Sequence, residues 1–158
     1  DADRASIERF QAGLRKAKLE AGAGEPERYA EVRARISRNQ AGEYFVEDAV
    51  AVDAEAVKAM RDAGALVVDV RDGGSYDRSH VPGARHLDLN VGLSEAALSA
   101  LVAKDDSVIF YCWGKYCPYS AYAAAKANLW GFSRVHRFAG GLPAWEDSGR
   151  PIEETVTE

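Results

Sequence analysis

VIFYCWGKYCPYSAYAAAKANLW, residues 108–130, runs from a β-branched and aromatic segment through a short loop into an alanine-rich helical pattern. Residues 108–111 read as a buried strand and 121–130 as a helix, with Cys112 between them. This order sets the thiol at the carboxyl end of a strand, reachable from solvent and facing a ring of loop N–H groups and a helix N-terminus. Both surroundings favour the thiolate. Cys112 is therefore the candidate nucleophile.

On either side, strand and helix signals alternate from about Tyr44 onward. Asp53 is a good N-cap for a helix over 54–63, and Gly64 a good stop for it. Residues 66–70, LVVDV, form a short run that is almost wholly apolar, as in a parallel strand covered on both faces. A short strand over 84–89 follows, then a helix from Ser94 to about 103. A strand over 135–138 and a closing turn of helix at 143–145 complete the pattern. Alternation of this kind predicts parallel pairing with right-handed crossovers, hence a three-layer α/β/α domain with a mostly parallel central sheet. Ligands in such sheets sit beyond the carboxyl ends of the strands, where Cys112, Asp69 and Arg71 all fall.

The first forty residues read as a separate helical extension. Ile7, Phe10, Leu14 and Ala17 recur at helical spacing, and Tyr29, Val32 and Ile36 do so again after the break AGAGEP. The division is residues 1–42 as an N-terminal helical extension or linker and 43–158 as the domain. The extension packs on that domain, connects it to a neighbour, or offers a dimer or protein-partner contact; the sequence leaves these open. Arg15, Lys16 and Lys18 read as a solvated face.

At 158 residues, with 47% hydrophobic and 28% charged residues, the chain has the make-up of a folded globular protein. No apolar run approaches the ~20 residues of a membrane helix. A start at Asp1 without Met fits a processed protein or an excised fragment, and the compartment stays open, leaning to cytoplasm with periplasm as the alternative. Residues 1–42 carry nine Lys and Arg against seven Asp and Glu, whereas residues 43–158 carry eleven against eighteen. The acidic domain is a poor match for nucleic acid, whose phosphates must be neutralised. The two cysteines are spaced CxxxxC, which is neither a zinc pair nor a CxxC redox motif, so no metal or cofactor is expected.

Three segments together resemble the rhodanese-like family of sulfurtransferases. VVDVRDGGSYDRSHVPGARHLDL, residues 67–89, is similar to the family's first signature. YCWGKYCPYSAYAA, residues 111–124, sits where the family carries its active cysteine loop. GGLPAWEDSGRPI, residues 140–152, is similar to its closing segment. The likeness covers about residues 50–152. It implies a cysteine that takes sulfur from a small donor such as thiosulfate or a persulfide, holds it as Cys–S–S⁻, and passes it to a thiol or cyanide.

Against that pattern the loop departs in one place. Typical members carry Arg after four intervening residues, where this chain has Cys117, and the helix-opening Ser is Ser120, so the loop is longer by two. Phosphatase-like relatives need Arg after five, to clamp phosphate oxygens, and here that place is Pro118. Phosphatase and arsenate reductase chemistry is disfavoured. Loops of the form Cys-x-Gly-x-Tyr-Cys are similar to those of some bacterial rhodanese-like proteins, including ones fused to regulatory domains.

Cys112 is thus the expected catalytic residue, in a loop of Trp113, Gly114, Lys115, Tyr116 and Cys117. Gly114 lets the backbone turn inward. Lys115, the loop's only cation, attracts an anionic donor or lies at the rim, and Trp113 and Tyr116 shape the mouth. Cys117 resolves a Cys112 persulfide, guards the thiol from over-oxidation, or fills space. Asp69 is expected to accept hydrogen bonds from loop N–H groups and Arg71 to brace the loop. His80, His86 and His136 read as structural, and Trp145 as a core anchor. The competing reading is a non-turnover redox or persulfide-sensing, or protein-interaction, module that uses the Cys112/Cys117 pair; a pure scaffold is a third.

Overall fold

A computed structural model describes residues 26–155. The expected periodicity at Ile7–Ala17 lies outside the described residues. Helix α1 spans Pro26–Ala34, followed by strands β1 (Ile36–Arg38), β2 (Tyr44–Val46) and β3 (Ala49–Ala51). Then come α2 (Ala54–Asp62), β4 (Leu66–Asp69), α3 (Gly73–Arg78), β5 (Arg85–His86) and α4 (Glu95–Ser99). The chain ends with β6 (Ser107–Tyr111), α5 (Tyr119–Leu129), β7 (Arg134–Phe138) and α6 (Gly141–Asp147).

Five strands form one parallel sheet in the order β3-β7-β6-β4-β5, and β1 and β2 form a separate antiparallel hairpin. The central strands are apolar on both faces because helices cover both. Val68, Val108, Phe110, Cys112 and Val135 pack with Leu98 of α4, the alanines of α5 and Val32 of α1. Val67, Ile109, Tyr111 and Phe138 pack with Val57 of α2 and with Leu142 and Trp145 of α6. This is the three-layer arrangement that the alternation predicts.

Helix α5 lies between sheet and α1 and is buried nearly all round, with Ala121, Ala123, Ala124, Ala125 and Ala127 inaccessible. A helix so enclosed needs small side chains on every face, which explains its alanine run. Asp53 caps α2, its side chain accepting from Ala56 N–H at 2.9 Å, and Gly64 ends the turn at φ +104°.

Several elements differ from expectation. Ile36 opens strand β1 instead of continuing the helix of Tyr29 and Val32. The strand over 84–89 shrinks to Arg85–His86 at the sheet edge, and the helix after Ser94 is only Glu95–Ser99. The loop after Arg71 contains the one-and-a-half-turn helix α3, capped by Asp72. The closing turn is a longer helix, Gly141–Asp147.

Candidate active site

Strand β6 delivers Cys112 one residue past its carboxyl end, on the face covered by α5. The Cys112 thiol lies 3.5 Å from Ser120 Oγ, in the first turn of α5, and 3.6 Å from the Cys117 carbonyl oxygen. Cys117 is also buried, and both cysteines are reduced. Burial pushes the Cys112 thiol up. Hydrogen bonding from Cys117 and from the Ser120 hydroxyl and N–H, with the nearby Arg137 charge, more than reverses this and brings it from 9.0 to about 6. These donors and the nearby guanidinium favour the thiolate.

Two expectations about this thiol are corrected. The sulfur is not reachable from solvent, since Cys112 is only 1% exposed. The ring of loop amides does not form either: the Cys117 N–H turns back to Gly114 O at 3.0 Å, and the amide that meets the sulfur is that of Ser120, in the helix. Cys112 lies within the apolar cluster between β6 and α5, yet hydroxyl, amide, thiol and guanidinium groups also act on its sulfur.

The glycine that shapes the loop is also a different one. Gly114 has no positive φ, and a Cβ there would meet only Gly140 O, at 4.0 Å. Gly141 has φ +61°, and a Cβ on it would collide with the Cys112 carbonyl oxygen and stand 2.9 Å from the Trp113 carbonyl carbon. The Gly140-Gly141 turn therefore lets α6 start directly against the cysteine loop, and Leu142 N–H donates to Cys112 O at 3.3 Å.

Asp69 and Arg71 form a buried bidentate pair, with Arg71 Nη2 2.7 Å from Asp69 Oδ2 and Nε 3.0 Å from Oδ1. Burial works against the Arg71 charge, yet Asp69 holds its pKa above the usual value. Asp69 does not hold the cysteine loop's N–H groups, as expected of it; it accepts from Arg71's own N–H at 2.9 Å and from Tyr111 Oη–H at 2.7 Å. Arg71 packs against the loop, its guanidinium 4.5 Å from the Trp113 ring centre. Trp113 is thereby packed inward, whereas Lys115 and Tyr116 are exposed, with Lys115 Nζ 5.2 Å from the Tyr116 ring centre.

The histidines are tied into backbone. His80 Nδ1 meets Tyr76 O at 2.7 Å, His86 Nε2 meets Arg71 O at 2.7 Å, and His136 Nδ1 meets Val108 O at 3.3 Å. Trp145 is buried in the core and donates to Pro151 O at 2.7 Å.

Arg137 was not singled out in the sequence. It alternates with Val135 on the α5 face of β7, its Nε donating to Ser120 Oγ at 2.9 Å and its Nη1 to Tyr44 O at 2.7 Å. A charged residue two places after a buried valine, hence on the same buried face of the strand, is the signal that could have found it.

With fold and geometry in view, the likeness to known proteins is specific. The chain belongs to the rhodanese-like family, whose Rhodanese-like domain model matches residues 53–148. It is 40% identical over 91 residues to the thiosulfate sulfurtransferase GlpE of Stutzerimonas stutzeri, covering 58% of this chain and 79% of that protein. The GlpE of Pseudomonas fluorescens SBW25 is 37% identical over a segment of the same length. Among solved structures, the BH2092 protein from Bacillus halodurans superposes with a TM-score of 0.61 at 31% identity, covering 68% of this chain and 78% of that one.

Proposed function

We propose that this chain is a sulfurtransferase that carries a sulfane sulfur on Cys112. The observation that carries the reading is the placement of the Cys112 thiol at the carboxyl end of β6, against Ser120 at the start of α5. Alignment with thiosulfate sulfurtransferases makes thiosulfate the first donor to test. The Cys112 thiolate attacks the outer sulfur of thiosulfate; the S–S bond of the donor breaks and sulfite leaves, giving Cys112–S–S⁻. An acceptor such as cyanide or a thiolate then attacks the terminal sulfur, and Cys112 leaves as thiolate.

Since the sulfur is buried, donor entry requires the loop of residues 113–117 to move aside. Lys115 and Tyr116, exposed on its outer side, form the rim that an anionic donor meets first. The assay is thiocyanate formation from thiosulfate and cyanide with wild type, Cys112→Ala and Cys117→Ala. Turnover lost in the Cys112 variant and kept in the Cys117 variant supports the enzyme.

A second reading is favoured by the Cys117 side chain lying near enough to Cys112 to lower its pKa. Attack of Cys117 on a Cys112 persulfide makes the Cys112–Cys117 disulfide and releases hydrosulfide, with no other oxidant needed. The chain would then register sulfane sulfur instead of turning it over. Ready bridging of the pair with no turnover on any donor supports that module.

A further inference from the structure

We propose that Arg137 is the positioning cation of the cysteine site: from the sheet it directs the Ser120 hydroxyl at Cys112 and serves as the counter-charge of the thiolate. The inference rests on Cys112 being the reacting thiol, and it adds a residue and a route by which its charge is held.

The argument starts from an unbalanced charge. Arg137 is 5% exposed, and among the described residues no carboxylate pairs with it. The other guanidinium buried nearby, Arg71, is already neutralised by Asp69. A buried guanidinium without an anion is costly, so a fold that retains one supplies an anion by other means. The titratable groups facing Arg137 are Cys112, Cys117 and Tyr44. Of these, Cys112 is the one whose sulfur stands against the hydroxyl that Arg137 holds.

Geometry supplies the route. The Nε–H of Arg137 donates to Ser120 Oγ at 2.9 Å, which leaves the Ser120 hydroxyl proton to be given elsewhere, and Cys112 Sγ stands 3.5 Å from that oxygen. Nη1 is anchored to Tyr44 O at 2.7 Å, in a hairpin that lies outside the family-matched residues 53–148. With two of its three nitrogens fixed, the planar group cannot swing away. Its third nitrogen, Nη2, is buried and has no hydrogen-bond partner among the described residues. A charged donor left unmade in the interior marks where an anion is to be met. The loop offers no buried cation of its own, for its single lysine, Lys115, is exposed.

The test reads the ionisation of Cys112 without relying on turnover. With two cysteines in the chain, a Cys117→Ala background leaves thiolate ultraviolet absorbance to Cys112 alone. In that background Arg137→Gln and Ser120→Ala are each expected to raise the titration midpoint by about one pH unit or more, an approximately tenfold loss of thiolate near neutrality. Arg137→Lys is expected to recover part of the shift, and the Arg137→Gln/Ser120→Ala double variant to add little to the larger single effect, because the two act in series. Ser120→Ala leaves the Arg137–Tyr44 bond in place, so it remains readable if the arginine variant fails to fold. An unchanged midpoint in folded Ser120→Ala or Arg137→Gln protein would overturn the proposal. Absence of sulfur transfer in wild type, with these shifts intact, would instead count against the sulfurtransferase reading alone.

Discussion

Gly141 stands against the carbonyl of Cys112 so closely that no side chain fits between them, and its φ of +61° places it where L-residues are strained. The strand-to-helix turn after β7 is thus built to the shape of the cysteine loop after β6. Substitution Gly141→Ala is expected to cost about 2–4 kcal/mol, combining the left-handed backbone with a backbone collision that must be relieved. Gly114→Ala, which makes only an ordinary contact with Gly140 O, is expected to cost no more than about 1 kcal/mol. Urea unfolding of the two variants separates them, and equal losses would show that the close approach is not what holds the loop.

Ionisation of Cys112 gives a pH signature. Its folded pKa, about 6, is depressed from 9.0, so the thiolate contributes stability that is fully present above pH 9 and is lost as pH falls through 6. The stability difference between wild type and Cys112→Ala should therefore move in favour of wild type as pH is raised from 6 to 9. Denaturant unfolding at several pH values measures it; a difference that stays flat over this window would mean the thiol titrates as an ordinary one.

Asp69 neutralises a buried arginine, and its contacts with Arg71 and Tyr111 predict a structural role for it. Replacing it with Asn strands the Arg71 charge and should destabilise by about 3–5 kcal/mol. Where the variant remains folded, the pH dependence of its activity should match that of wild type. A displaced pH profile would give Asp69 a chemical role that its contacts with Arg71 and Tyr111 do not provide.

Lys115 is exposed at the rim and makes no ion pair among the described residues. Lys115→Ala should raise KM for thiosulfate about two- to fivefold with kcat nearly unchanged, and the effect should shrink as salt is added. A loss confined to kcat would place the lysine at the reacting atoms instead.

The parallel sheet and the place of the cysteine after β6 were legible in the sequence because each is written locally, whereas the pairing of Asp69 with Arg71 was not read there. Apolar runs, caps and the order of strand and helix need no knowledge of distant partners. What could not be read depends on contacts across the chain. Gly114 and Gly141 look alike in sequence, yet only the second is pressed against another segment. Ile36 fits the helical spacing of Tyr29 and Val32, but it pairs with Val46 in a hairpin of three-residue strands, too short to leave a period-two pattern. The amide ring around the thiol was expected from the Cys-loop-helix order; the hydroxyl and amide that meet it belong to Ser120, whose hydroxyl is held in turn by Arg137, a residue 25 positions past Cys112 on the neighbouring strand. The sulfur is buried where Cys112 meets α5, against Ser120, a packing that no local spacing encodes.

The most direct test is intact-protein and peptide mass spectrometry after incubation with thiosulfate and removal of excess donor. A covalent carrier predicts the gain of one sulfur atom, mapped to Cys112, discharged by cyanide and missing from Cys112→Ala. Sulfur that never accumulates on Cys112, or that accumulates equally without it, would contradict the account.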